Sequence, residues 1–347
     1  GHSIHHFRMA SDALMVREFT VGAGQHCPDA PELMNTTEVD FIGKMILDEV
    51  MELYATVLPP AETKAIMKSN INSSKDIAQI QGDEATIISE QADAFVDVYY
   101  YMLNAAAKKG INVSKIFDIV HGANMAKRDP ATGKFLKRDD GKIIKPAGWQ
   151  GPDIKSEIQR QLTHGSWDGD TAPRDADHVR EFTGGAGQPT PDKPVLMTKD
   201  EVCFLGKMVL DEVMELFATV YPASDAKSKL CGFIDASKDI AQLPDDETNL
   251  IAEQGDAIVD VYYYMLNAAS KKGMNLSALF HIVHAANMAK RDPATGQFLK
   301  RDDGKIIKPV GWQGPDVKGE IVRQLADGAW VSDQENASSK THTPTKI

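Results

Sequence analysis

The segment LDEVMEL occurs twice, at residues 47–53 and 210–216, and each copy carries a Glu-x-x-Glu pair: Glu49 with Glu52, and Glu212 with Glu215. At about 100° per residue, Glu49 falls inside the apolar arc of Val39, Ile42, Ile46, Val50 and Leu53, with Glu52 beside it. An unpaired carboxylate in such an arc is strongly unfavourable. A second acidic strip lies further along, where Glu90, Asp93 and Asp97 stack on one helical face and recur as Glu253, Asp256 and Asp260. No lysine interrupts either strip. Like charges so placed repel one another, and the pattern asks for a cation. The bland alternative is a solvated face, but the apolar setting of Glu49 and the missing lysine weigh against it. An all-oxygen donor set suits Mg2+, with Mn2+ the alternative, better than zinc. A di-iron bundle would need Glu-x-x-His on two helices, and neither recurring histidine, His121 nor His284, completes one.

Cations follow the acids. HGANMAKRDP (121–130) returns as HAANMAKRDP (284–293), which supplies Asn124, Lys127 and Arg128, then Asn287, Lys290 and Arg291. Further along lie Lys137, Arg138, Lys142 and Lys145, with Lys305 the second-copy counterpart of Lys142. A metal-binding acid cluster beside such cations is what a polyphosphate requires: metal at the reacting phosphorus, cations on the leaving oxygens. Lys127 and Arg128 could instead simply answer a helix macrodipole. His121 reads first as a hydrogen-bonded structural side chain, and Trp149 as a clamp between the 133–146 segment and the bundle.

The elements that must hold these residues are helices. One is expected from Glu38 to about Val57, capped by Thr37 and ended by Pro59-Pro60. A long one is expected from Asp83 to Lys109 and stops at Gly110. Another opens at Asn112 or Ser114 and runs to about Lys127, and a short one spans Asp153 to Leu162. Residues 58–82 read as helix plus loop. GKFLKRDDGKIIKP (133–146) carries a β-hairpin signal around Asp140-Gly141. The whole arrangement returns without a gap from Val16/Val179 to Trp167/Trp330, with roughly two thirds of aligned positions identical. The expected class is all-α, one helical bundle with a small hairpin per copy. The copies span 13–167 and 179–331, 168–178 forms a linker, and 332–347 is a disordered tail.

Composition narrows the function classes. The 347 residues are 42% hydrophobic and 25% charged, with a net charge of −12 that argues against a nucleic-acid groove. No apolar run reaches membrane-spanning length. Three cysteines at non-equivalent places form no metal motif and fit a reducing, cytoplasmic setting. The start, GHSIHHFRMA, lacks the apolar stretch of a signal peptide and reads as a cloning remnant, so His2, His5 and His6 are set aside. There is no Walker loop, nucleophile elbow or Cys-x-x-Cys. GAGQ (22–25 and 185–188) follows a short helix rather than a strand, which weakens a dinucleotide reading.

The ordered set Glu49-x-x-Glu52, Glu90-x-x-Asp93, HGANMAKRD and DDGKIIKPAGW resembles the MazG-like superfamily of all-α nucleoside triphosphate pyrophosphohydrolases. Its relatives include dimeric dUTPases, dCTP pyrophosphatases and phosphoribosyl-ATP pyrophosphohydrolase. The resemblance covers nearly all of each copy. It implies that Glu49, Glu52, Glu90, Asp93 and Asp97, with Glu212, Glu215, Glu253, Asp256 and Asp260, hold Mg2+, and that the glutamate pairs take part in catalysis. The Asp-x-x-Tyr context lets Asp97, in place of Asp93, align with the family's final aspartate, so which of Glu90, Asp93 and Asp97 bind the metal directly stays open. Asn124, Lys127, Arg128, Lys142, Asn287, Lys290, Arg291 and Lys305 would contact phosphate. Phe19, Gln25, Phe182 and Gln188 would line the base pocket. The implied reaction turns a nucleoside triphosphate, dUTP- or dCTP-like, into monophosphate and diphosphate, as in nucleotide-pool house-cleaning. The alternatives are phosphoribosyl-ATP hydrolysis or a non-catalytic nucleotide or metal binder. Because relatives work as dimers, the duplication implies an intrachain pseudo-dimer, which could pair again as a homodimer, with no nucleic-acid or membrane partner.

Overall fold

The computed structural model describes residues 10–170 and 172–331; His2, His5, His6 and the 332–347 tail lie outside them. Twelve helices make up the described residues. The first six are α1 (Asp12–Gly22), α2 (Thr36–Ala55), α3 (Pro60–Ser73), α4 (Glu84–Lys108), α5 (Val113–Met125) and α6 (Ile154–His164). Each returns 163 positions on: α7 (Asp175–Gly185), α8 (Lys199–Ala218), α9 (Ala223–Ala236), α10 (Glu247–Lys271), α11 (Leu276–Met288) and α12 (Val317–Asp327).

Local chemistry sets the boundaries. The cap of α2 is Asn35, not Thr37: its side chain accepts from the Glu38 amide at 3.0 Å while Glu38 accepts from the Asn35 amide at 2.8 Å. That reciprocal box needs three residues of separation, which Thr37 lacks. Asp83 caps α4, and Gly110 ends it in the left-handed region at φ 65°. Asn112 opens α5, and α3 lies within residues 58–82, where helix plus loop is expected.

No β-strand forms among the described residues, which corrects the hairpin expectation. The Asp140-Gly141 turn is there, with Arg138 N–H donating to the Lys142 carbonyl at 2.9 Å and Ile144 N–H to Leu136 at 2.7 Å. Among the described residues only isolated bridges result: Arg128 with Phe135, Lys137 with Ile143, and Lys300 with Ile306. Two paired residues in an exposed, lysine-rich arm bury too little to extend a ladder.

The expectation of one bundle per copy is also corrected, because the long helices are exchanged. α4 packs mainly against α7, α8, α11 and α12, while α10 packs against α1, α2, α5 and α6; α4 and α10 also touch each other. One apolar core therefore runs through both copies. Backbone hydrogen bonds tie them together: Val195 N–H donates to the Lys109 carbonyl and Glu32 N–H to Lys272, both at 2.8 Å. The join is pinned as well. Arg174 reaches Asp12 at 2.6 Å and Asp118 at 2.7 Å, Lys115 holds Asp170 at 2.8 Å, and α7 already begins at Asp175.

α2 and α8 cross at two glycines. A methyl group on Gly43 would lie 2.4 Å from the Phe217 ring, and one on Gly206 would lie 2.5 Å from Tyr54. Glycine weakens a helix interior, so its presence here reflects the close approach of the two helices. Gly206→Ala is therefore expected to lower the midpoint of thermal unfolding despite alanine's better helix propensity, at a net cost of about 1–3 kcal/mol. Calorimetry checks it, and an unchanged or raised midpoint would show that the crossing is loose.

Candidate active site

Helix exchange decides which carboxylates meet. Glu49 and Glu52 on α2 face Asp256 and Asp260 on α10, while Glu212 and Glu215 on α8 face Glu90, Asp93 and Asp97 on α4. The partner strip thus comes from the other copy. Glu49 and Glu212 are buried, at 8% and 7% exposure, and in each the Oε2 atom has no hydrogen-bond partner. Burial, then the charge of Asp260, then that of Glu52, pushes Glu49 up to about 10; burial and Asp97 do the same to Glu212. Burial and the neighbouring Asp256 raise Asp260 to about 8, and burial with Asp93 raises Asp97 to about 7. Asp93 and Asp256 rise to about 6, mainly through burial. Glu52 and Glu215 are raised too, burial again the leading cause.

Among the described residues, no three carboxylate, histidine or cysteine side chains already stand in an arrangement that would hold one ion. The donor chemistry nonetheless fits a hard divalent cation. Each cluster is all-oxygen, carries a buried glutamate oxygen with no hydrogen-bond partner, and gathers acids whose pKa is raised by burial and by one another, which a cation would relieve. Asp48 and Asp211 are engaged elsewhere, with Lys44 at 3.0 Å and Lys207 at 2.8 Å.

Beside the first cluster lies a cleft of about 430 Å3, lined among others by Phe19, Asn124, Lys127, Asp256, Asp260 and Asn267. Lys127 donates to the Asn124 side-chain oxygen at 2.8 Å and sits 5.3 Å from the Trp149 ring centre. Burial lowers its pKa, as does the charge of Lys145, while Asp260 opposes both. Lys290 repeats the contacts with Asn287 at 2.8 Å and Trp312 at 5.3 Å. Trp149 donates its indole N–H to the Ala123 carbonyl at 2.8 Å, so it clamps the arm to α5 and also forms a wall of the cleft. Lys145, 4.5 Å from the same ring, adds a cation there.

Other expected residues are placed differently. Arg128 and Arg291 stack over Phe135 and Phe298, both at 5.2 Å, and Arg128 does not line the cleft. Lys142 and Lys305 stay on the exposed turns, where their amides donate to Asp140 and Asp303 at 3.1 Å; Lys142 acts on Lys127 only through its charge. Phe19 lines the cleft and packs against Tyr263 and Phe135, and Phe182 makes the same ring contacts with Tyr100 and Phe298. Gln25 and Gln188 are both exposed, and Gln25 accepts from Asn267 at 3.3 Å. His121 bonds the Tyr263 hydroxyl at 3.1 Å and stacks on Phe117, the structural role read for it. Asn267 and its counterpart Asn104 were missed as site residues. Their signal was their place seven residues beyond Asp260 and Asp97, on the same helix face.

These features define a class: an all-helical protein with paired acidic clusters, each beside an Asn-Lys pair. Residues 16–124 match the family model described as phosphoribosyl-ATP pyrophosphohydrolase, a family of the MazG-like superfamily. The matched stretch runs from α1 into α5 and includes Glu49, Glu52, Glu90, Asp93, Asp97 and Asn124. The match makes that stretch similar to pyrophosphohydrolases, hydrolases acting on acid anhydrides. No curated protein and no solved structure matches the chain. Among the described residues no helix is long and apolar enough to cross a membrane, and all three cysteines are free.

The carboxylates generate a pH prediction. Their folded pKa values lie above the ordinary range, so the stability they contribute is complete below about pH 4 and is lost as pH rises through 6, 7 and 8. In chelator, the thermal midpoint at pH 5.5 is therefore expected to exceed that at pH 8.5. A Glu49→Gln/Glu212→Gln/Asp97→Asn/Asp260→Asn variant should flatten the dependence.

Proposed function

We propose that the protein hydrolyses a nucleoside triphosphate between its α- and β-phosphates, with two sites in an intrachain pseudo-dimer. One observation carries this reading. A buried glutamate with an unsatisfied oxygen faces the acids of a second helix, two of which, Asp256 and Asp260, line a nucleotide-sized cleft together with Asn124 and Lys127. Mg2+ or Mn2+ would be held by Glu49, Glu52, Glu253, Asp256 and Asp260 in one site, and by Glu212, Glu215, Glu90, Asp93 and Asp97 in the other. Bound there, the cation supplies Lewis acidity and a more acidic water. Either Asp93 or Asp97 can be a direct ligand, since both are raised by burial among acids.

The chain's own groups do the rest. One oxygen of the Glu49–Glu52 pair accepts a proton from the attacking water. Water adds to the α-phosphorus, the bond to the bridging oxygen breaks, and diphosphate leaves. Asn124 and Lys127 bind its oxygens, and Lys145 adds positive charge at the cleft wall. Trp149 and Phe19 close the cleft sides and limit bulk water. A pyrimidine deoxynucleotide such as dUTP or dCTP is the proposed substrate, in nucleotide-pool maintenance. The family match over 16–124 favours phosphoribosyl-ATP as the second reading.

Diphosphate release, measured over a panel of nucleotides with Mg2+ and including phosphoribosyl-ATP, tests the activity and ranks the substrates. No release, with Glu49→Gln/Glu212→Gln altering affinity only, would make the protein a binder. The crossed assembly makes a sharper prediction. Glu49→Gln should remove one site and about half of kcat, and adding Asp260→Asn should remove little more. Glu49→Gln with Asp97→Asn should disable both sites and lower kcat by about 100-fold or more. Equal loss in the two double variants would refute assembly across the copies. Mg2+ is also expected to raise the thermal midpoint more at pH 8.5 than at pH 5.5, because it replaces protons bound only at lower pH.

A further inference from the structure

Building on the nucleotide reading, we infer that Thr20 and Thr183 fix the amide orientation of Asn267 and Asn104, which thereby present a carbonyl oxygen to the base and select bases carrying an N–H donor. The Thr20 hydroxyl is fully buried. Thr20 donates its only proton to the Val16 carbonyl at 2.7 Å, so its Oγ1 can act toward Asn267 only as an acceptor. The group 2.9 Å away on Asn267 must then be the NH2, and the same nitrogen also donates to Gln25 Oε1 at 3.3 Å. Both amide hydrogens are then used, which leaves Oδ1 as the amide atom that Asn267 can offer to the cleft it lines. The second copy repeats the threonine part of the device: Thr183 donates to Val179 at 2.7 Å, and Asn104 donates to Thr183 at 2.8 Å.

The position of Asn267 suits a base. It lies seven residues beyond Asp260 on α10, about 10 Å along the helix at 1.5 Å per residue, which matches the reach from an α-phosphate across the sugar to the base. Lys127 feels the charge of Asp260, which places the phosphates at that end. Phe19 offers a ring wall beside Asn267. A flipped amide would set NH2 against the base and leave Thr20 Oγ1 without a donor, so the acceptor is held in place. Thr20 and Thr183 are positioning residues. Asn267 and Asn104 set specificity.

The probes are the α,β-imido triphosphates of deoxycytidine, deoxyuridine and the deoxynucleoside of pyrimidin-2-one, whose ring carries no N–H. Binding to the full chain with Mg2+ is measured by calorimetry. The donor-bearing pyrimidine that binds better is expected to exceed the pyrimidinone by roughly 3- to 10-fold, one hydrogen bond's worth. Thr20→Val/Thr183→Val should bring that ratio close to one, Thr20→Ser/Thr183→Ser should restore it, and Asn267→Leu/Asn104→Leu should abolish it. Equal wild-type affinity for all three probes, or an unchanged ratio in the valine variant, would overturn the inference. Hydrolysis can fail while the ratio holds, which sinks the proposed reaction alone. The ratio can fail with hydrolysis intact, which sinks this inference alone. If none of the probes binds, both fall.

Discussion

Two acidic helix faces are laid against each other with no full set of counter-charges between them. α2 brings Glu49 and Glu52 to the carboxylates of α10, and α8 brings Glu212 and Glu215 to those of α4. Repulsion at such a seam must be overcome by everything around it. The flanking helices do so with apolar contact, and the acids retain protons where burial is deepest. A protein that keeps this seam in both copies sacrifices stability at two places where a cation would restore it.

The exchange of long helices is what the seam demands of the chain. α4 leaves its own copy to lie among α7, α8, α11 and α12, and α10 makes the reverse journey. Buried amides mark the junctions. Gln91 binds both backbone groups of Met34 and the Thr219 hydroxyl, at 2.9 to 3.1 Å, and Gln254 does the same with Met197 and Thr56 at 2.9 to 3.2 Å. Ion pairs strap the outer helices, Lys64 to Asp239 at 2.8 Å and Lys227 to Asp76 at 2.7 Å. Exposed pairs of this kind contribute little energy but are consistent with the same pairing of copies.

Where the copies meet, the symmetry breaks. Asp12 and Asp175 are equivalent residues, yet Arg174 stands where the first copy has Ser11. Arg174 turns to Asp12, while Asp175 accepts a hydrogen bond from Tyr99 at 2.6 Å. Burial still raises Asp12 to about 6 against the pull of Arg174. A buried and a half-buried carboxylate served by one arginine and one phenol cannot be exchanged between copies, so this centre favours pairing of unlike halves. Nothing in a single copy would have revealed it.

Much was legible in the residues alone. Apolar periodicity, caps and proline or glycine stops place the helices, because those signals act within a few residues of chain. The inward turn of Glu49 follows from helical angle, and the acidic strip of α4 from spacing. The duplication follows from comparing the chain with itself. Tertiary structure decided what lies further apart: that Glu49 meets Asp260 rather than Asp97, that Arg128 stacks on Phe135 outside the cleft, and that Asn267 faces a buried threonine. The arm after α5 gave a turn without strands, because a ladder needs partners and burial that no local signal reports. Helical angle tells which way a side chain points, but which helix stands opposite depends on how two copies of one sequence share a core.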